Sequence, residues 1–172
     1  MKRFQFLLLD AGPIIKLFEL GIWEAFIEKF GVTICRRVAE EAKWASRELE
    51  DIRIDLDFYE QRDLINIEDV DLSLVQNFYD KLKHEYVDSI HDGEKETLSF
   101  LYSVSEDWRL CAADGAVFRV LGLHDRAEQG ISLEEVLIQI GLSRQLEWQY
   151  TEKFREKYTR MGQIDSIQDH SV

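Results

Sequence analysis

Two aspartates stand directly after short apolar runs of the sequence. Asp10 follows residues 6–9 (FLLL), and Asp114 follows residues 110–113 (LCAA). Both runs are typical of buried strands. The carboxyl ends of parallel strands meet at one edge of a sheet, which is where such sheets bind ligands. We therefore expect the two carboxylates to lie close together.

Further acids are candidates for the same cluster. Residues 92–96 (DGEKE) begin a predicted helix and offer Glu94 and Glu96, at a helix end that favours negative charge. Glu41 shares the inward face of its own predicted helix with Val38. An acid on such a face needs a partner or an ion, because burying an unpaired charge is costly.

Carboxylates that converge repel one another, and each raises the pKa of its neighbours unless a cation neutralises the group. Hard oxygen ligands of this kind suit Mg²⁺ or Mn²⁺. Such an ion polarises a phosphodiester and lowers the pKa of an attacking water. The pattern thus indicates a metal site able to act on phosphodiesters.

The elements that must position these acids alternate between strand and helix. Apolar runs predict strands near residues 4–9, 32–35, 64–67 and 110–113, and the segments between them show helical spacing of apolar residues. This order indicates an α/β domain with a mainly parallel sheet. Residues 52–58 alternate apolar and polar side chains, which predicts a half-exposed strand or extended arm.

Capping residues and glycines predict the helix boundaries. Pro13 begins the first helix, Gly122 ends the helix after Asp114, and Ser132 with Glu135 forms a capping box. Residues 36–49 are predicted to form one helix. A last helix carries an i+4 row formed by Leu146, Tyr150, Phe154 and Tyr158. The domain is predicted to span residues 1–162, followed by a flexible tail at 163–172.

Composition and charge limit the classes of function. The chain has 172 residues, which fits one domain, and a net charge of −13 from 34 acids and 21 bases. That balance argues against binding nucleic acid mainly by bulk electrostatics. Cys35 and Cys111 lie in predicted strands, without zinc-site spacing, as expected of reduced thiols in a cytoplasmic protein. Apolar runs are too short for a signal peptide or a membrane span, so we expect no membrane association.

Taken in order, the acidic segments resemble those of the PIN-domain family of metal-dependent nucleases, which includes many toxins of toxin–antitoxin pairs. Residues 8–15 (LLDAGPII) resemble the start of the family, and residues 38–41 (VAEE) resemble its second acidic motif. Residues 93–96 (GEKE) resemble the Gly-Glu-x-Glu motif of a prokaryotic branch, and residues 114–122 (DGAVFRVLG) resemble the last acidic motif and its helix. The similarity covers about residues 4 to 141.

The resemblance implies a three-layer α/β/α fold and a ribonuclease that uses Mg²⁺ or Mn²⁺. Carried over by motif, the catalytic residues are Asp10, Glu41, Glu96 and Asp114, and Glu94 competes with Glu96 as a metal ligand. Glu96 is preferred, since an apolar residue stands two positions after it, as in the family. The implied partners are an RNA substrate, an antitoxin protein and a second copy of the chain.

Three basic residues are candidates for contact with RNA phosphates near the acidic edge: Lys16, Arg119 and Arg126. The C-terminal helix adds bases and aromatic residues that suit RNA binding, although closing the core explains that helix better. His91 precedes the residue 92–96 segment and is expected to be a surface loop residue.

An alternative function is a catalytically inactive PIN-like module that binds RNA or a protein. The acidic net charge favours it, as do two departures from the family pattern. Ala11 stands where the family has a small hydroxyl residue, and Asp114 lacks the second aspartate of a family Asp-Asp pair. Each acid also has an ordinary structural explanation, as a helix cap, a first-turn acid or a solvated surface charge.

Overall fold

Five parallel strands form the central sheet in the computed structural model of the protein, which describes residues 6–82, 84–105 and 107–169. In chain order the strands are β1 (Phe6–Leu9), β2 (Gly31–Cys35), β3 (Trp44–Arg47), β4 (Glu50–Arg53), β5 (Asn66–Glu68), β6 (Trp108–Cys111) and β7 (Gly130–Ile131). The sheet order is β5-β2-β1-β6-β7, and β3 and β4 form a separate antiparallel hairpin. The predicted α/β class with a parallel sheet is confirmed.

Helices cover both faces of the sheet and give three layers. They are α1 (Ala11–Glu19), α2 (Trp23–Ile27), α3 (Arg36–Glu41), α4 (Leu56–Glu60), α5 (Leu72–Lys81), α6 (His84–Val87), α7 (Asp92–Ser103), α8 (Gly115–Leu123), α9 (Leu133–Gln139) and α10 (Glu152–Asp169). Short 3₁₀ helices occur at Ala127–Gln129 and Trp148–Tyr150. The architecture is therefore α/β/α.

The central strand β1 is buried from both sides, which explains its unbroken apolar sequence. Leu7 and Leu9 pack into one hydrophobic cluster, while Leu8 packs into the other, because successive side chains of a strand alternate between faces. β1 pairs in parallel with β6, with Leu8 opposite Leu110. The carboxyl ends of these two strands consequently lie side by side.

The segment predicted as one helix over residues 36–49 is a helix followed by a hairpin. α3 ends at Glu41, and β3 then pairs with β4 so that Ala45 lies opposite Ile52. The two residues at the turn, Glu48 and Leu49, have φ values of 52° and 71°. Asn-Gly or Asp-Gly is the usual sequence of such a turn. Neither is present, so the sequence carried no hairpin signal.

The extended arm predicted at residues 52–58 is also wrong in its second half. β4 ends at Arg53, and α4 begins at Leu56. The Asp55 carboxylate accepts a hydrogen bond of 3.1 Å from the backbone N–H of Phe58 and so caps this helix. The capping box at α9 is confirmed, since the Ser132 hydroxyl accepts from Glu135 N–H at 3.2 Å.

Two glycines set the packing of α10 against α8. Gly122 lies inside α8 rather than ending it, and a Cβ there would stand 2.1 Å from the Thr159 carbonyl oxygen. A Cβ on Gly162 would stand 1.8 Å from the Arg119 carbonyl oxygen. Only glycine permits this backbone approach. The tail predicted at 163–172 is helical as far as Asp169, and residues 170–172 lie outside the described residues.

The predicted i+4 row of the last helix is only partly helical. Phe154 and Tyr158 lie in α10, but Leu146 and Tyr150 precede it. Pro13 is the third residue of α1, which begins at Ala11, and the first turn of a helix tolerates proline because its N–H has no helical partner there.

Both cysteines are buried and free, at the ends of β2 and β6. Burial raises the pKa of Cys35 to about 12 and that of Cys111 well above its usual value. Within residues 6–82, 84–105 and 107–169, no helix has the length and apolar character needed to cross a membrane.

Candidate functional site

A cavity of about 500 Å³ opens at the carboxyl ends of β1 and β6. Its lining contains five acids and, among the described residues, neither lysine nor arginine. The lining residues are Asp10, Ala11, Gly12, Glu41, His91, Asp92, Glu94, Ala113 and Asp114. We call this the acidic cavity. It brings together four of the five acids singled out from the sequence.

Asp10 is the single residue between β1 and α1. Its backbone N–H donates to the Cys111 carbonyl at 3.0 Å, which continues the β1–β6 ladder by one residue. It occupies the N-cap position of α1, yet its carboxylate makes no capping hydrogen bond. The residue is 7% exposed. Burial raises the pKa of Asp10 to about 6, the Ala11 N–H opposes the rise, and Glu41 and Asp114 add to it.

Asp114 reaches the cavity from the neighbouring strand. It is the N-cap of α8, and its Oδ1 accepts a hydrogen bond of 2.7 Å from Ala116 N–H. A carboxylate has several lone pairs, so a cap at one oxygen leaves the other free for a ligand. The capping role and the ligand role are thus compatible at this residue.

Glu94 lies in the first turn of α7 and is also 7% exposed. Its Oε2 accepts a hydrogen bond of 2.9 Å from the backbone N–H of His91. Burial raises the pKa of Glu94 to about 8, the His91 bond opposes the rise, and Asp10, Asp114 and then Glu41 add to it. The pKa of Glu94 is therefore raised first by burial and only then by the neighbouring carboxylates.

Glu41, the last residue of α3, also lines the cavity. The prediction that Glu41 lies on the inward face is wrong, since the residue is exposed and lines the cavity. Three residues after Val38 correspond to a rotation of about 300°, which places Glu41 to one side of the buried face. Its two carboxylate oxygens lie against Gly93, where a Cβ would stand 2.8 Å and 2.9 Å from them. Gly93 therefore permits Glu41 to approach the start of α7.

Glu96 does not reach the acidic cavity, so the preference for Glu96 over Glu94 fails on position. It lines a separate cavity with Arg36 and Arg37, and its Oε1 accepts from the Arg37 backbone N–H at 3.4 Å. Two residues along a helix correspond to a rotation of about 200°. Glu94 and Glu96 consequently lie on opposite sides of α7, and only one of them can lie over the strand ends.

The three predicted phosphate-binding cations do not line the acidic cavity. Lys16 forms ion pairs with Glu19 at 2.6 Å and Glu147 at 2.7 Å. The Arg119 guanidinium pairs with Asp165 at 2.7 Å.

Arg126, the third of these cations, also has protein partners. Its Nη1 donates to the side chain of Gln129 at 2.8 Å, and its guanidinium lies 4.2 Å from the centre of the Tyr102 ring. All three cations are therefore engaged in holding surface elements together.

Two cavity residues were not included in the sequence-based site. Asp92 and His91 line it, and the positive charge that His91 can carry lowers the pKa of Asp10. Asp92 forms a long ion pair of 3.7 Å with Lys95. Their position immediately before residues 93–96, at the start of α7, could have identified them from the sequence.

The cavity offers carboxylate oxygens from five acids. In the part of the chain that the structure describes, no group of three or more histidine, cysteine, aspartate or glutamate side chains is arranged so that it could hold a metal ion. No protein-family model, curated protein or solved structure matches this chain. The resemblance to PIN domains therefore depends on the order of the acidic segments.

Proposed function

We propose that this protein is a divalent-metal-dependent ribonuclease of the PIN-like type. The observation that carries the proposal is the acidic cavity, with five acids and no lysine or arginine in its described lining. Such a concentration of negative charge is unfavourable by itself. A cation from solution would offset it.

The donor chemistry fits Mg²⁺ or Mn²⁺. All the acids offer hard oxygens, and burial together with the neighbouring carboxylates raises the pKa values of Asp10 and Glu94 to about 6 and about 8. Mg²⁺ keeps several of its waters and needs only one or two carboxylates of the protein directly. The remaining acids can then bind it through water.

We assign a role to each acid of the cavity. Asp10, Glu94 and Asp114 would hold the ion from β1, α7 and β6, and Glu41 would act from α3 as a fourth ligand or as the group that orients the attacking water. A bound ion would polarise the phosphodiester and lower the pKa of that water.

The reaction is hydrolysis of a phosphodiester bond. Oxygen of the attacking water bonds to phosphorus, and the bond between phosphorus and the 3′ oxygen breaks. A proton is delivered to the departing 3′ oxygen, and the water's own proton is released to solvent. The products carry a 5′-phosphate and a 3′-hydroxyl.

The choice of RNA, and the role as toxin of a toxin–antitoxin pair, follow from the family resemblance. An antitoxin protein and a second copy of the chain are the partners that this role would add. A cytoplasmic location suits two free, buried thiols. These assignments extend the proposal beyond the cavity itself.

Purified protein should cleave single-stranded RNA in Mn²⁺, and Asp10→Asn should abolish cleavage while retaining the fold. Asn keeps the size of the side chain and removes its charge, so loss of activity would reflect the carboxylate. Equal rates for Asp10→Asn and the wild type, or unchanged cleavage in EDTA, would refute the proposal.

A PIN-like module without catalytic turnover is the second function to consider. It is favoured by two methyl groups that line the cavity, those of Ala11 and Ala113, where hydroxyl or carboxylate side chains would support the ligands. Mg²⁺ would then raise the melting temperature, and Asp114→Ala would remove that rise, without any cleavage of RNA.

A further inference from the structure

A second cavity, of about 380 Å³, lies between α3, the β3–β4 hairpin and α4. Its lining includes one exposed aromatic residue, Trp44, and the cations Lys43 and Arg53. We call it the Trp44 groove. No residue of the acidic cavity lines it, and nothing in the proposed reaction has used it.

The hairpin turns Trp44 outward. Side chains alternate along a strand, and the next residue, Ala45, is buried in the core. Trp44 is accordingly 60% exposed. It lies directly opposite Arg53 in the β3–β4 pair, which places the two side chains on one face of the hairpin. A flat aromatic surface therefore stands beside a cation at the mouth of the groove.

The acids of the groove are already engaged. Glu40 pairs with Arg37 at 3.4 Å, and Asp57 pairs with Arg36 at 3.4 Å. Asp55 uses its carboxylate to cap α4. Their negative charge is therefore partly neutralised within the protein.

The two cations beside Trp44 differ from the other basic residues around them. Across residues 6–82, 84–105 and 107–169, neither Lys43 nor Arg53 forms an ion pair, and both are exposed. Arg36, by contrast, contacts Asp57, Glu60 and Asp69. The free positive charge of the groove is thus concentrated next to the exposed indole.

The groove begins where the acidic cavity ends. Glu41 lines the acidic cavity, while Lys43 and Trp44 line the groove two and three residues later. Three steps of 3.8 Å limit the distance between the Cα atoms of Glu41 and Trp44 to about 11 Å. The linings of the two sites therefore come within about 11 Å of each other at these residues.

We propose that the Trp44 groove binds single-stranded RNA beside the cleavage site, with a base stacked on Trp44 and phosphates on Lys43 and Arg53. Stacking on an exposed aromatic ring together with basic side chains is how proteins bind single strands without reading their sequence. That the bound RNA lies beside a cleavage site rests on the proposed function. The described lining of the groove has three cations and three acids, so it lacks the excess of negative charge of the chain as a whole, which is −13.

The test is binding of a fluorescein-labelled oligouridylate, followed by fluorescence anisotropy in Mg²⁺. All variants carry Asp10→Asn so that the RNA stays intact. We expect Trp44→Ala to weaken binding roughly 5- to 100-fold, which corresponds to the loss of one stacked base. Trp44→Phe keeps an aromatic face and should restore most of the affinity.

Two matched controls test whether the effects depend on the position of the tryptophan and of the cations, or only on losing an exposed tryptophan or two positive charges anywhere on the surface. Trp148 is also exposed, at 51%, but lies outside the groove, so Trp148→Ala should bind RNA like the parent. Lys43→Gln with Arg53→Gln should make the salt dependence shallower by about 0.7 in log–log slope for each cation. The same net-charge change at exposed Lys29 and Lys153 should leave the slope unchanged.

The outcomes distinguish the groove from the reaction. If the parent fails to bind, or if Trp44→Ala binds RNA as the parent does, the inference is overturned. Loss of a protein partner with unchanged RNA affinity overturns it too, since the groove would then be a protein interface. RNA binding that depends on Trp44 but occurs in a wild type without Mn²⁺-dependent cleavage supports the groove and refutes the nuclease.

Discussion

Two acid-rich regions of this molecule, the surroundings of Arg36 and the acidic cavity, differ in that only the first contains an arginine among the described residues. Around Arg36, the acids Asp57, Glu60 and Asp69 all lie within ion-pair distance of one guanidinium. The acidic cavity has five acids and no such cation in its described lining. The acids of the first region are paired with an arginine of the protein, whereas in the second region burial and neighbouring carboxylates raise the pKa values of Asp10 and Glu94.

Glu94 and Glu96, which both lie in α7, show the same difference, within the described part of the chain, between an acid without an arginine neighbour and an acid beside arginine. Glu94 points to the cavity with its pKa raised to about 8, and Glu96 lies beside Arg36 and Arg37. Acid content along the sequence therefore does not identify a site. The side of the helix on which an acid lies, and the cations on that side, identify it.

The largest expected effect separates these two glutamates. Glu94→Gln should lower the Mn²⁺-dependent cleavage rate by about 100-fold or more. Loss of a group that only supports a metal ligand costs about 10- to 100-fold, and loss of a ligand should cost at least as much. Glu96→Gln is the matched control and should stay within about threefold of the wild type. Initial rates on a labelled single-stranded RNA give the comparison. Equal losses in both variants would contradict the assignment of Glu94.

The pH dependence of the free energy of unfolding should also distinguish Glu94→Gln from the wild type. In the metal-free protein Asp10 and Glu94 have pKa values of about 6 and about 8, raised from 3.8 and 4.5. Between about pH 4 and pH 8 the folded state therefore binds more protons than the unfolded state, and the free energy of unfolding falls as pH rises. Glu94→Gln should remove most of this fall.

Urea unfolding in EDTA at about pH 5 and about pH 8.5 measures the effect. At the higher pH we expect Glu94→Gln to be more stable than the wild type by on the order of 5 kcal/mol, because each pKa unit corresponds to about 1.4 kcal/mol. At the lower pH the two proteins should be nearly equal. If the wild type and Glu94→Gln show the same pH dependence, burial of the Glu94 carboxylate does not lower the free energy of unfolding.

A smaller effect is expected at Gly93, which lets Glu41 approach α7. Gly93→Ala places a methyl group within 2.8 Å of the Glu41 carboxylate, and a flexible side chain end can move away. We expect about tenfold weaker Mg²⁺ binding in isothermal titration calorimetry with little change in melting temperature. Unchanged affinity would remove Glu41 from the ligand set.

The smallest effect is expected on the arginine side of the comparison. Arg36→Gln should lower the free energy of unfolding by less than about 1 kcal/mol, since exposed ion pairs contribute little. Metal affinity and cleavage should not change. A loss of metal binding in this variant would show that the two regions are coupled rather than distinct.

The sequence predicted the sheet and the convergence of Asp10 with Asp114, because both follow apolar strands that end at one edge. It could not choose between Glu94 and Glu96. That choice depends on the residue at which α7 begins, and a shift of one residue rotates the helix by about 100°. The 92–96 segment gave no signal precise enough to fix this start.

Other misses also have identifiable causes. The hairpin turn at Glu48 and Leu49 lacks the glycine that marks such turns. Gly122 resembled a helix end because the backbone that it packs against, at Thr159, is distant in sequence. The three cations assigned to phosphate had partners such as Asp165 that only the folded chain brings near them.

The buried thiols have a practical consequence for experiments on the groove. Cys35 and Cys111 are the only cysteines of the sequence, and both are 0% exposed. Maleimide reagents react with accessible thiolates, so the folded wild type serves as an unreactive blank. The variant Leu49→Cys, at the exposed tip of the hairpin, would accept a fluorophore selectively and would test whether RNA binds in the Trp44 groove.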